Sequence, residues 1–442
     1  MHISTKCYKI YVGGGNIKIP ESIYKRIDSY CEKLNNYPKL QKLYRNCYPN
    51  TLETTVKETE DGSLFVLTGD IPAMWLRDST AQVSHYIPLA SEDKEVRDIL
   101  KEVIRTQFKY ILIDPYANAF NEAPNCKGHI KDIPRNNPWV FERKYEIDSL
   151  CYPVRLIYKY WQTTGDESVF DDNFYSAAKK IISLFKTEQH HFEKSPYRFT
   201  RLGCRWSDTL HNEGMGMHVS YTGMTWSGFR PSDDACVFGY LIPSNMFAVV
   251  IIGYLIEIFN KFYADDQSFI SECELLRDEI DYGIKTYGIV EHPKYGRIYA
   301  CETDGMGNRR LFDDANVPSL LSMPYLGYCD KNDKMYQRTR SFILSEDNPY
   351  FYKGKYGRGV GSPHTPEGYI WHIALSMQGL TSDNPDEIKE IIDILSSTDA
   401  ETGFMHEGFN ADNPFEFSRE WFAWSNSLFA EFIEYAVDNK II

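Results

Sequence analysis

At 442 residues, with 62 acidic against 48 basic side chains and a net charge of −14, the chain is poorly suited to nucleic acid, whose phosphates are held by clustered Lys and Arg through counterion release. Its 43% hydrophobic and 25% charged composition is that of a globular protein with a substantial core and excludes a disordered chain. Aromatic content is high, 15% with 32 Tyr and 8 Trp, which suits either a large helical core or the flat C–H faces of sugar rings.

The first residues, MHISTKCYKI, contain no apolar run of signal-peptide length, and a cytoplasmic location is expected. Helical periodicity then recurs over 21–36, 79–93, 96–113, 147–163, 170–187, 243–263, 266–286, 314–328, 337–346, 366–380, 384–396 and 418–437, about a dozen helices in all. Several carry start signals: Asp70 ahead of Pro72, Pro243-Ser244, Thr365-Pro366-Glu367, Asn384-Pro385-Asp386-Glu387 and Ser418-Arg419-Glu420 each place a cap, a proline or an acid in a first turn. Strand-like pieces at 64–67, 197–201 and 297–301 read as hairpins on a helical body. The apolar run 246–256 is shorter than the roughly 20 residues that span a bilayer; it predicts a buried core helix and no membrane partner. The ten cysteines show no C-x-x-C or zinc-ribbon spacing, as expected of reduced thiols. No linker or fixed-period repeat divides the chain, so one domain over 1–442 is expected.

Between the helices lie connections dense in Trp, Arg, Asp, Glu, His and Gly, at 68–78, 222–234, 301–314, 359–367 and 403–410. Loops of this composition are suited to binding, whereas structural loops carry turn residues and scattered charges. Their alternation with helix pairs suggests a ring of helices whose loops converge on one end. The signatures of zinc proteases, nucleotide hydrolases and serine esterases are missing. Gly13-Gly14-Gly15 and Gly357-Arg358-Gly359-Val360-Gly361 do not join a strand to a helix as a dinucleotide site requires. His190-His191 reads as a solvated turn without metal-ligand spacing.

Paired carboxyls remain, and they suit a neutral, hydroxyl-rich substrate: glycoside hydrolysis needs one protonated carboxyl and one ionised one, a difference that aromatic burial and nearby Arg can create. The candidates are Asp78, Asp148, Asp208, Asp233, Asp234, Glu302, Asp304, Asp313, Asp314, Glu367, Glu407 and Glu420. Asp233 and Asp234 could alternatively occupy the first turn of a following helix. Arg77-Asp78 could be an ion pair stapling a helix start while still offering oxygens to hydroxyls. Trp75, Trp226 and Trp371 serve equally as core or as sugar platform.

The segments TGDIPAMWLRDS (68–79), YEIDSLCYP (145–153), GMTWSGFRPSDDAC (223–236), YLIPSNMFA (240–248), ACETDGMGN (300–308), VGSPHTPEGYIW (360–371) and GFMHEGFN (403–410) together resemble glycoside hydrolase family 125, the exo-α-1,6-mannosidases. The resemblance runs from about residue 20 to 435 and leaves residues 188–196 individual to this chain. It implies an all-α (α/α)6 barrel without a cofactor or metal, and inverting removal of non-reducing terminal α-1,6-linked mannose from an oligosaccharide. It places the general acid in the Ser-Asp-Asp segment, assigned to Asp234 with Asp233 as the alternative, and the general base at Glu407. Trp75, Arg77, Asp78, Asp148, Trp226, Arg230, Glu302, Asp304, His364 and His406 are the expected substrate-binding residues. Two other readings stay open. The same helical ring hosts sugar isomerases and epimerases, for which His364 and His406 would be acid and base, and a non-catalytic carbohydrate-binding protein would use similar loops.

Overall fold

A computed structural model describes residues 17–442, so the glycine run Gly13-Gly14-Gly15 lies outside the described residues. The helices are α1 (Glu21–Lys33), α2 (Pro38–Cys47), α3 (Asn50–Thr54), α4 (Leu76–Ser84), α5 (Lys94–Ile113), α6 (Ile147–Thr164), α7 (Asp172–Glu188) and α8 (His191–Lys194). They continue with α9 (Ile242–Phe262), α10 (Gln267–Tyr287), α11 (Met323–Leu326), α12 (Lys334–Ile343), α13 (His372–Leu380), α14 (Pro385–Ser397) and α15 (Ala423–Asp438). They form the expected (α/α)6 toroid. On the inside, α4 packs on α6, α6 on α9, α9 on α11 and α13 on α15, and α15 returns to α4; on the outside α5 packs on α7, α7 on α10 and α14 on α2.

The two rings begin their helices differently. Five outer helices start on an Asp or Asn whose side chain accepts from the first turn: Asp93 before α5, Asp171 before α7, Asp266 before α10, Asp333 before α12 and Asn384 before α14. This satisfies orphan N–H groups at the surface. The inner helices α4, α6, α9, α13 and α15 follow Trp75, Glu146, Leu241, Trp371 and Phe422, and none has a side-chain cap. Most of these starts are fed by short antiparallel sheets. Met74–Trp75 pairs with Ala119–Phe120, which pairs with Val140–Glu142; Tyr240–Leu241 pairs with Glu302–Thr303; and Tyr369–Trp371 pairs with Gly408–Asn410, which pairs with Asn413–Ser418. Sheet pairing, not a capping side chain, sets where these helices begin.

Helix α9 is 21 residues long, strongly apolar and mostly buried. It is longer than its apolar run because Ile242 and Pro243 at its start and Phe262 at its end extend it, and it lies in the core between α6 and α10.

Several elements differ from the sequence expectation. Over 314–328 only the four-residue α11 forms. Pro318 lacks an N–H and its ring opposes a helical turn, while the Asp313 carboxylate takes the N–H groups of Leu320 and Leu321 at 2.8 and 3.0 Å. The expected starts at Thr365 and Ser418 fall in a loop and a strand, and α13 and α15 begin only at His372 and Ala423. Residues 197–201 form a bridge from Thr200 to Ile133 instead of a strand, and α2 was not foreseen. Gly361 belongs to no phosphate loop: a Cβ there would lie 2.1 Å from the Tyr369 carbonyl, so the glycine lets two backbones touch. His191 is no solvated turn either. It is buried, its ring stacks on Trp226 at 3.5 Å, and its nitrogens meet Glu188 at 2.5 Å and the Met215 carbonyl at 2.9 Å.

Candidate active site

The uncapped starts of α4, α13 and α15 converge on a cavity of about 270 Å³, a little below the roughly 300–1,000 Å³ usual for small-ligand sites. Its wall takes Trp75, Arg77 and Asp78 from the start of α4, Ser232 and Asp233 from the loop ahead of α9, and Asn316 from the irregular segment before α11. The stretch from His364 to Pro366, Trp371, Glu407, Arg419 and Phe422 close the other side. Four of the five aromatic and acidic loops therefore meet here. The fifth, 301–314, contributes support instead.

The loop carrying Asp233 is held at successive residues. Arg230 pairs with Asp234, Glu302 and Asp314 at 3.2, 3.2 and 3.1 Å. Asn316 donates to the Pro231 carbonyl at 2.6 Å, Ser232 donates to Asp314 at 2.6 Å, and Lys144 Nζ donates to the Asp233 carbonyl at 2.8 Å. Glu302 also accepts the N–H groups of Val237 and Phe238. Asp233 itself has φ +70°, a left-handed conformation that an Asp adopts at a cost and that surrounding contacts must impose. This segment is not a helical first turn, so the dipole reading of Asp233 and Asp234 does not apply; α9 begins nine residues on, at Ile242.

The two aspartates have different surroundings. Asp234 is buried and both of its oxygens are taken, Oδ1 by His364 Nδ1 and Oδ2 by Arg230 Nη2, each at 3.2 Å. Burial raises its pKa, but His364 and Arg230 outweigh that and hold it below the usual carboxylate range. His364 is in turn raised, burial being outweighed by the bond and charge of Asp234 and by Glu407. Asp233 turns its side chain, 29% exposed, to the cavity, with Oδ1 3.8 Å from Arg77 Nη2.

Arg77 is the hub of the α4 and α6 starts. Its Nη1 donates to Glu146 at 2.6 Å and to Asp148 at 3.2 Å, and its Nε lies 3.4 Å from Asp78. The staple expected of Arg77-Asp78 is thus part of a larger cluster in which carboxyls outnumber cations. Burial accordingly pushes Asp148 up to about 6 and raises Asp78 as well, against the pull of Arg77.

Glu407 faces the cavity from the turn after Met405, where Trp371 pairs in register with Gly408 and the His372 N–H donates to the Glu407 carbonyl at 3.3 Å. Arg419, bent back by a φ of +46°, brings Nη1 to 3.7 Å from Glu407 Oε1 and is itself held by Asp70 at 2.5 Å.

Among the expected binding residues, Trp75, Arg77, Asp78 and His364 line the cavity. Asp148, Arg230 and Glu302 stand behind it in the ion-pair networks. Trp226 packs in the core against His191, and Asp304 closes its own turn by accepting from the N–H groups of Met306 and Asn308. His406 is enclosed, stacked on Phe417 at 4.0 Å and lowered in pKa chiefly by burial, so it cannot pair with His364 across a substrate. Of the other carboxylates, Glu367 and Glu420 are exposed and do not line the cavity. Asp208 pairs with Lys144 at 2.5 Å, and Asp313, pushed up to about 8 by burial, caps the segment before α11. Sequence reasoning did not single out Glu146, Asn316, Arg419 or Phe422. Glu146 lies inside the segment YEIDSLCYP and Arg419 inside the Ser418-Arg419-Glu420 start signal, but only the fold turns them toward Arg77 and Glu407.

Comparison with known proteins agrees with this geometry. A structure of a Streptococcus pneumoniae metal-independent α-mannosidase, in a non-productive complex with α-1,6-mannobiose, is 50% identical with a TM-score of 0.93, covering 95% of this chain and 99% of that one. The meiotically up-regulated gene 157 protein of Schizosaccharomyces pombe is 39% identical over 443 residues, 95% of this chain and 86% of its own length. A bacterial glucoamylase bound to acarbose shares the fold at 12% identity with a TM-score of 0.58, over 93% of this chain and 58% of that one. Residues 37–434 match the metal-independent α-mannosidases (GH125), and the chain belongs to that family.

Proposed function

We propose that this α-mannosidase removes terminal α-1,6-linked mannose with inversion, Asp233 acting as general acid and Glu407 as general base. One observation carries the residue assignment: Asp233 and Glu407 both face the cavity, whereas both oxygens of Asp234 are occupied. The acid therefore moves one residue from the Asp234 expected from sequence, and Asp234 becomes the residue that orients His364 and Arg230. The α-1,6 linkage is supported by the mannobiose bound to the S. pneumoniae relative. The small size of the cavity supports exo action, because it suits a chain end.

In this reading Asp233 protonates the glycosidic oxygen as the bond to the anomeric carbon breaks. Glu407 takes a proton from a water that adds to the opposite face, and Arg419 beside it fixes the carboxylate. Trp75 and Trp371 present apolar faces to the ring, while Arg77 and Asp78 are placed to bond its hydroxyls. A proton NMR time course on α-1,6-mannobiose tests the stereochemistry. β-Mannose must appear first, and α-mannose appearing first would require a covalent intermediate and overturn the role of Glu407. The nine described cysteines are all free, which supports a cytoplasmic enzyme; fractionation of the source cells checks this.

A further inference from the structure

The proposed acid has a difficulty that its surroundings resolve. Burial alone would raise the Asp233 pKa, but Lys144 and Arg77, then His364 and a bond from Glu146, together hold it below the usual carboxylate range. A general acid must carry a proton, and in the free enzyme Asp233 by itself does not keep one. Glu146, the residue before α6, shows the reverse. It is fully buried, and burial raises it well above the usual range despite Arg77, with Asp233 and Asp148 adding to the rise.

The geometry joins the two. Glu146 Oε2 is satisfied by Arg77 Nη1 at 2.6 Å and by the Ser149 hydroxyl at 2.8 Å. Glu146 Oε1 and Asp233 Oδ1 are both buried, and neither has a hydrogen-bond partner other than what the two carboxyls can offer each other. Two carboxylate oxygens cannot face each other in a buried site unless a proton lies between them. We infer that Glu146 and Asp233 share one proton between Glu146 Oε1 and Asp233 Oδ1, and that Glu146 is the positioning residue that stores the proton the acid delivers.

This rests on Asp233 being the acid. The step balances. The proton passes from Glu146 Oε1 to Asp233, leaving Glu146 a carboxylate held by Arg77 and Ser149. A half-turn of the Asp233 carboxyl, whose terminal torsion is soft, carries the proton to the cavity, where it goes to the leaving oxygen. Water gives its hydroxide to the anomeric carbon and its proton to Glu407, and that proton returns to the carboxyl pair through solvent. Other charges also bear on the pair: Asp78 and Asp148 across Arg77, Glu142 beside Lys144, and Asp234 beside His364. The proton therefore belongs to the coupled cluster and titrates with it.

The test uses the full-length enzyme with Glu146→Gln and Ser149→Ala, each checked for folding by circular dichroism. Gln keeps the contact with Arg77 and offers Asp233 an amide donor, but stores no proton. Glu146→Gln is expected to lower hydrolysis of α-1,6-mannobiose about tenfold more than that of an activated aryl mannoside, and to move the alkaline limb of kcat/KM to lower pH. Ser149→Ala removes a donor from the Glu146 carboxylate and should move the same limb to higher pH. Infrared difference spectra at neutral pH should lose one protonated-carboxyl stretch in Glu146→Gln. Equal losses on both substrates with an unmoved pH profile and an unchanged infrared band would make Glu146 a strut for Arg77 and overturn the inference. Asp233→Asn separates the two proposals: if it lacks the leaving-group dependence, the acid assignment fails, and if it shows the dependence while Glu146→Gln does not, only the shared proton fails.

Discussion

The outer and inner rings solve the same problem at their helix starts in opposite ways. An outer helix such as α5 ends its exposed N-terminus on Asp93, whose carboxylate accepts from Glu95 and Val96 at 2.7 and 3.3 Å. These two bonds satisfy N–H groups of the first turn and stabilise the helix start. An inner helix such as α4 starts from a strand at Trp75, without a cap, and spends its first turn on Arg77 and Asp78 at the cavity wall. The contrast shows where this fold forgoes local capping: polar groups at the start of α4 are instead held in the cluster around Arg77 and face the cavity.

The largest effect is expected at the base. Glu407→Gln should lower kcat by about 10²–10⁴ on every substrate while thermal melting stays near wild type, and Glu420→Gln should leave kcat unchanged; steady-state kinetics on both variants checks this. Asp233→Asn should cost a similar factor on mannobiose and much less on an activated aryl mannoside, where the leaving group needs no proton. Asp234→Asn should hurt both substrates alike. Arg230→Met should destabilise the fold by about 3–5 kcal/mol in chemical denaturation, because it strands Asp234, Glu302 and Asp314 as buried charges with one shared cation gone.

A smaller effect separates the rings by pH. Asp148 at the α6 start has its pKa raised to about 6, so the native state binds more protons than the unfolded chain between about pH 4 and 6. Its contribution is fully present below about pH 4 and is lost as pH rises through about 6, by at most about 3 kcal/mol. Asp148→Asn should flatten the fall of Tm over that window. At the outer ring, Asp93→Ala should cost about 1 kcal/mol of stability and leave kcat unchanged. A loss of activity there would show that the two rings are not separable as described.

Legibility in the sequence cuts across this division. Long helices of both rings are read nearly to their ends, 96–113 against α5, 266–286 against α10 and 384–396 against α14 outside and 147–163 against α6 and 243–263 against α9 inside, whereas the short outer helix α2 has no counterpart in the sequence reading. Asn384-Pro385 is a local signal, since a cap and a proline act on the residues next to them. Starts such as Thr365 and Ser418 carried similar letters, but the strands Tyr369–Trp371 and Asn413–Ser418 intervene before α13 and α15, and 314–328 carried helical periodicity that Pro318 and the Asp313 carboxylate broke.

The segments proposed to carry the acid and base were legible too, because Ser-Asp-Asp and His-Glu-Gly lie in unbroken runs that resemble the family in order. The choice between Asp233 and Asp234 was not. Two adjacent aspartates are equivalent in sequence, and they become distinct only when Asp233 takes φ +70° and Arg230 and His364 close on Asp234. Sequence determined the family, the ring of helices and the kind of chemistry, since these follow from hydrophobic period and contiguous motifs. Only the tertiary structure decided which carboxyl meets the cavity and that Glu146 lies against it, because Glu146 and Asp233 stand far apart along the chain and no local pattern records which buried oxygens will face each other.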